Sequence, residues 1–179
     1  MAALSNKDLE RLFQLLNEEL KKELLEGEIY LVGGAVMCLV FQARPSTKDV
    51  DAFFKPAQKM REAAARAAAR TGFPKDWLND AVKGFFSERG RFDAFLELTN
   101  LKILTARPDY LLAMKCLAMR IGEEFHDLED VRFLLRYLNI ENYQQALDIM
   151  TEYYPLERFP QKTLYALEEI LDQINRPAV

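Results

Sequence analysis

The stretch EIYLVGGAVMCLVFQARPSTKDVDAFF, residues 28–54, decides how this chain is read. Glu28-Ile-Tyr-Leu-Val32 is short and apolar and runs straight into Gly33-Gly34, so it reads as a buried strand ending in a sharp turn. Ala35 to Gln42 suits strand or helix by composition, and two glycines directly after a strand favour a turn into a helix. Pro45 restricts the residue before it, which makes Arg44-Pro-Ser-Thr47 a loop. Lys48-Asp-Val-Asp-Ala-Phe-Phe54 is then a second strand. Side chains two apart share a face, so Asp49 and Asp51 project together while Val50 and Ala52 turn to the core. Two carboxylates held close repel each other unless a cation lies between them. Magnesium (or manganese) accepts one or two carboxylates and keeps positions open for phosphate oxygens. The plain alternative is an edge strand whose charges discourage aggregation. The glycine pair lets the backbone approach a ligand closely and leaves helix-start amides for phosphate. The order strand, glycine pair, helix, loop, acid pair therefore sets a phosphate cradle beside a metal site.

On the N-terminal side, Ser5 or Asn6 caps a helix with Leu9, Leu12, Phe13, Leu16, Leu20 and Leu24 in one apolar stripe, ended by Gly27. On the other side, Lys55-Pro56 stops the acidic strand and opens an alanine-rich helix, Ala57 to Thr71. Asp76 to Phe86 reads as a short helix carrying Trp77, whose expected role is packing. Arg91 to Leu98 and Leu101 to Thr105 read as neighbouring strands. From Pro108 onward the pattern is helical: Asp109 to Ile121, Asp127 to Leu138, Tyr143 to Tyr153 and Gln161 to Ile174. The expected architecture is α+β, a small mixed-sheet core over residues 1–107 followed by an all-α region over 108–179.

Half of the residues are hydrophobic and 29% are charged, which is globular composition with enough apolar material for a core. The run from Ile29 to Phe41 is too short to span a bilayer, and no signal-peptide pattern opens the chain, so no membrane partner and a cytosolic address are expected. One histidine and two cysteines, Cys38 and Cys116 inside apolar stretches, leave little for zinc, disulfide or Ser-His-Asp chemistry. Carboxylates, basic side chains and backbone amides remain. The net charge of −4 disfavours general coating of nucleic acid, although basic residues gather between Lys55 and Arg70.

Leu31-Val-Gly-Gly34 followed by Arg44-Pro-Ser-Thr-Lys-Asp-Val-Asp51 resembles the signature of polymerase-beta-like nucleotidyltransferases. It is most similar to the minimal bacterial and archaeal branch that includes abortive-infection-type toxins, where an arginine and a threonine precede the acid pair, as Arg44 and Thr47 do. The resemblance implies transfer of a nucleotide from a nucleoside triphosphate to a hydroxyl of RNA, protein or a small molecule. It implies two magnesium ions on Asp49 and Asp51, a third carboxylate from a later strand, and an antitoxin-like protein partner. Asp93 in RFDAFLEL has the expected apolar flanks, with Glu97 the other candidate on the same strand face. Pro108 to Lys115, Arg120, His126-Asp127 and Asp130 are similar to the family's later helical motifs. There Lys115 contacts phosphates and Asp127 or Asp130 orients it or a substrate group; a structural bridge between packed helices is the alternative. Gly33, Gly34 and Thr47 complete the implied nucleotide contacts. Two further readings stand beside this one. The chain could be a non-catalytic nucleotide-binding module lacking its third carboxylate. It could also be a protein-interaction surface on the C-terminal helices, with Tyr143, Tyr153, Tyr154 and Phe159 as its face.

Overall fold

A two-residue strand, β1 (Leu4–Ser5), leads into the first helix, α1 (Asn6–Lys22), in the computed structural model, which describes residues 3–122 and 125–176. Ser5 caps α1 in a reciprocal box: its hydroxyl accepts from the Asp8 amide, and the Asp8 carboxylate accepts from the Ser5 amide at 2.9 Å. Ser5→Ala removes one half of that exchange. It should lower stability by about 1 kcal/mol in urea denaturation. The helix stops at Lys22, earlier than the periodicity suggests. Leu24 lies beyond it in a left-handed turn (φ 56°) and is almost fully exposed. Gly27 opens the next strand, donating its amide to the Asn100 carbonyl.

The order then follows the expectation except at Ser46–Thr47, expected as loop and found as a short strand because it pairs with β1: β2 (Gly27–Leu31), α2 (Gly33–Leu39), β3 (Ser46–Thr47), β4 (Val50–Lys55) and α3 (Ala57–Ala69). The segment expected as a helix from Asp76 is instead a strand, β5 (Leu78–Asn79), followed by a 3-10 turn over Ala81–Phe85. Pairing overrides local preference here, since the Val50 amide donates to the Trp77 carbonyl at 2.7 Å. β6 (Phe92–Glu97) and β7 (Leu101–Ala106) complete a five-stranded mixed sheet in the order β5-β4-β2-β7-β6, while β1 and β3 pair separately. The fold is α+β.

Val50, Ala52, Phe54, Ile29, Leu31, Leu101 and Ile103 alternate onto one face of the sheet and are fully buried. α1 and α3 pack against each other and against this face, so Leu9, Leu12, Phe13, Leu16 and Leu20 are sealed. Trp77 is part of the same core. It stacks at a tilt on Phe13 at 5.9 Å, and its indole N–H donates to the Ala64 carbonyl. The opposite face is less covered and carries Tyr30, which contacts Phe53 and Phe92.

The helices from Pro108 onward are α4 (Pro108–Leu117), α5 (Asp127–Tyr137), α6 (Tyr143–Tyr153) and α7 (Gln161–Asn175). Every residue of α4 from Tyr110 to Leu117 is buried, and all but Lys115 are uncharged. Tyr153, Tyr154 and Phe159 are buried beside Tyr110 rather than displayed, so the aromatic face expected for a partner is largely core. The chain divides into two units. One runs to Gly84 and resumes at Phe92–Ala106; the other takes Phe85–Arg91 and the chain from Arg107 on. A single break near residue 107 misses the Phe85–Arg91 segment. It is tied to the helical unit by Ser87, whose amide donates to the Tyr110 hydroxyl and whose hydroxyl donates to the Tyr153 carbonyl. Among the described residues, no helix is long and apolar enough to cross a membrane.

Candidate active site

β2 delivers Val32 to the turn, where Gly33 adopts φ +63°, a conformation that side chains disfavour. The turn is crowded as well as strained. A Cβ at Gly33 would lie 3.2 Å from Asp51 Oδ2, so the Asp51 carboxylate stands against the glycine bend. A Cβ at Gly34 would lie 2.6 Å from Thr47 Oγ1 and 3.2 Å from Arg44 Nη2. A side chain at Gly34 would force Thr47 to shift, whereas at Gly33 the Asp51 carboxylate would have to give by only a few tenths of an ångström. Gly33→Ala should cost about 1–2 kcal/mol from the left-handed backbone alone, measured by urea denaturation.

Asp49 and Asp51 arrive differently. Asp51 is the second residue of β4, half-buried, while Val50 and Ala52 are buried on the other face as the alternation requires. Asp49 is not in the strand. It occupies a bend before β4 and is exposed. Two contacts shape that bend: the Thr47 hydroxyl donates to the Asp49 carbonyl at 3.1 Å, and Asn79 Nδ2 donates to Asp49 Oδ2 at 3.2 Å. Thr47, expected as a nucleotide contact, is buried and acts on the loop itself.

Asn79, which follows Trp77 in a cluster whose polar pair could read a base, has a place at the bend that the sequence does not reveal. β5 runs parallel to β4 with Val50 opposite Leu78 and Asp51 opposite Asn79, so Asn79 shares the face of Asp51 one strand away. Leu78-Asn79 repeats the apolar–polar order of Val50-Asp51, which is the signal that could have marked it. Its neighbour Asp80 bonds the Arg61 guanidinium.

The third carboxylate is not where it was expected. Asp93 pairs with Thr105, Thr105 with Leu31 and Leu31 with Ala52. Cross-strand partners share a face, so Asp93 belongs to the side of Ala52, opposite Asp51. Glu97 pairs with Lys102, on the face of Glu28. A register shift between Ala94 and Leu96 therefore separates two acids that strict alternation would put together. Glu97 does share the face of Asp51. It lies four residues along and three strands across, on the order of 13 Å and 14 Å away by strand geometry. Among the described residues, no three His, Cys, Asp or Glu side chains gather as a metal-holding group.

Lys115, Asp127 and Asp130 form a cluster within the helical unit. Lys115 Nζ lies 3.0 Å from Asp127 Oδ1 and 2.7 Å from Asp130 Oδ2, and all three side chains are at most 10% exposed. The Arg120 backbone and guanidinium both donate to Asp127 Oδ2. Burial alone pushes the Asp127 carboxyl up, but Lys115 and Arg120 outweigh it and hold it below the ordinary carboxylate range. This is the bridge between packed helices foreseen as the alternative to a phosphate contact.

The basic residues of α3 are similarly engaged. Arg66 and Arg70 pair with the buried Glu19 of α1, Arg66 also with Glu23, and Arg70 also with Glu18. That helix presents a neutralised seam rather than a polyanion groove. Cys38 and Cys116 are buried, and burial pushes the Cys116 thiol up to about 12, which removes it as a nucleophile.

The donor set at the bend suits a hard divalent cation. Two carboxylates with a neighbouring amide match the one or two protein carboxylates magnesium takes, and do not match a closed thiolate or imidazole site. Compared with known proteins, the chain matches no family model, no curated protein and no solved structure.

Proposed function

We propose that this chain is a divalent-cation-dependent nucleotidyltransferase that moves a nucleotide from a nucleoside triphosphate to a hydroxyl acceptor. The observation that carries the reading is the Asp51 carboxylate standing against Gly33, with Asp49, two residues earlier, hydrogen-bonded by the Asn79 that pairs opposite Asp51. In this reading Asp49 and Asp51 hold magnesium or manganese at the bend. Gly33 and Gly34 carry no side chain, which lets Asp51, Thr47 and Arg44 stand against the bend. Thr47 and Asn79 keep the Asp49 bend in shape. A divalent cation bound there supplies neutralising charge for the triphosphate and acidifies an incoming hydroxyl. The acceptor class, whether RNA, protein or small molecule, and a neutralising protein partner rest on the family resemblance alone. The test is incubation with α-labelled triphosphates and magnesium, comparing the wild type with Asp51→Ala. Labelled product from the wild type and none from the variant supports the reading; equal labelling by both rejects the site.

One observation favours a second reading, a module that binds nucleotide without efficient transfer. Asp93 lies on the wrong face and Glu97 far along the sheet, so neither supplies a third acid beside Asp51. Nucleotide binding that needs Asp51, with no product on any acceptor tried, would favour it over transfer.

A further inference from the structure

We propose that Asn79 is the third member of the bend site, a positioning residue that orients Asp49 and holds the site at two negative charges rather than three. The inference rests on the cation-binding reading above. Three features of Asn79 carry it. β-pairing sets it directly opposite Asp51 and on the same face, one strand away, the place from which a third carboxylate would reach the same cation. Its Nδ2 donates to Asp49 Oδ2, so an exposed acid in a bend, which β4 does not constrain, acquires a fixed orientation. Its Oδ1 accepts from the Ala81 amide at 3.2 Å, which locks the asparagine's own amide plane and so decides which end faces Asp49.

The two ends of Asn79 thus have separate tasks, and chemistry can separate them. Asn79→Asp keeps an oxygen for the Ala81 amide but replaces the donor facing Asp49 with a second acceptor carrying charge. Without a cation, two carboxylates then oppose each other; with one, three converge. Asn79→Ala removes both ends. A residue serving only the turn would leave Mn2+ affinity unchanged in N79A, whatever repulsion from Asp49 does to the stability of N79D. A positioning residue at a cation site makes N79D strongly cation-dependent.

The experiment is Mn2+ titration of the full chain without nucleotide, followed by electron paramagnetic resonance, with thermal melts at each metal concentration. D51N reports whether binding belongs to the bend. N79D should bind Mn2+ about tenfold more tightly than the wild type and gain more melting temperature on metal addition. N79A should bind several-fold more weakly. D49N should weaken binding, and adding N79D to D49N should recover it, because the pair then keeps one donor and one carboxylate with their places exchanged. Wild-type binding lost in D51N but unchanged in both N79D and N79A overturns the role of Asn79 and leaves the site standing. Binding insensitive to D51N overturns the cation-site reading and this inference with it. Should N79D be unstable without metal, rescue of its melt by Mn2+ supports the proposal and failure of rescue counts against it.

Discussion

Asp51→Asn should reduce label transfer from a nucleoside triphosphate by about a hundred- to a thousandfold, the scale on which loss of one preorganised electrostatic partner acts. The substitution keeps shape and removes charge. The fold should survive it, since the packing of β4 comes from Val50, Ala52 and Phe54 on the opposite face. Far-ultraviolet circular dichroism checks that the variant is folded, and a magnesium titration of the residual rate shows whether the loss lies in cation use. A rate within threefold of wild type would remove Asp51 from the chemistry. Asp49→Asn should also lose activity, but by less, because Asp49 is exposed and outside the strand.

The second large effect belongs to the helical unit. Lys115→Met leaves Asp127 and Asp130 buried together without the ammonium between them, and should destabilise the unit by about 3–5 kcal/mol. Urea denaturation at neutral pH measures it. The pH dependence separates this cause from a packing defect. In the wild type the Asp127 carboxyl is held below its ordinary value, so its contribution is fully present above the unfolded-state pKa, about 3.9. It is lost as the pH falls through the lower folded value. In K115M the Asp127 carboxyl stays buried without its Lys115 partner, so its folded pKa rises, and stability should increase as the pH falls from 7 toward 5. The slope therefore reverses sign. Replacing Asp130 with leucine in the K115M background should recover much of the loss, since an apolar pair is tolerated where a half-pair is not. A K115M protein as stable as wild type at pH 7 would show that the bridge contributes nothing.

Much of the glycine bend was legible because each step of it is local. A strand followed by two glycines has few ways to continue, and the alternation through Val50, Asp51 and Ala52 fixes which of them turn inward. The α1 stripe, the packing of Trp77 and the burial of both cysteines follow from periodicity and composition in the same way. What could not be read depends on partners distant in sequence. Leu78-Asn79 is a strand only because Val50-Asp51 lies beside it. Asp49 appeared to be a strand residue because alternation has no means of marking where pairing begins. Asp93 and Glu97 seemed to share a face until the register shift between Ala94 and Leu96, a feature of an edge strand, set them on opposite sides. Lys115 carried two readings at sequence level; its bridge to Asp127 and Asp130 became visible only once the fold set the three together.

Crystals of the full chain soaked with Mn2+ and a non-hydrolysable nucleoside triphosphate, measured for anomalous scattering, locate the ion directly. A peak bonded to the Asp49 and Asp51 carboxylates beside Gly33, with the triphosphate on the same bend, is the expected result. A triphosphate and its ion settled elsewhere, leaving those two acids without a cation, would show that the bend is a structural corner and nothing more.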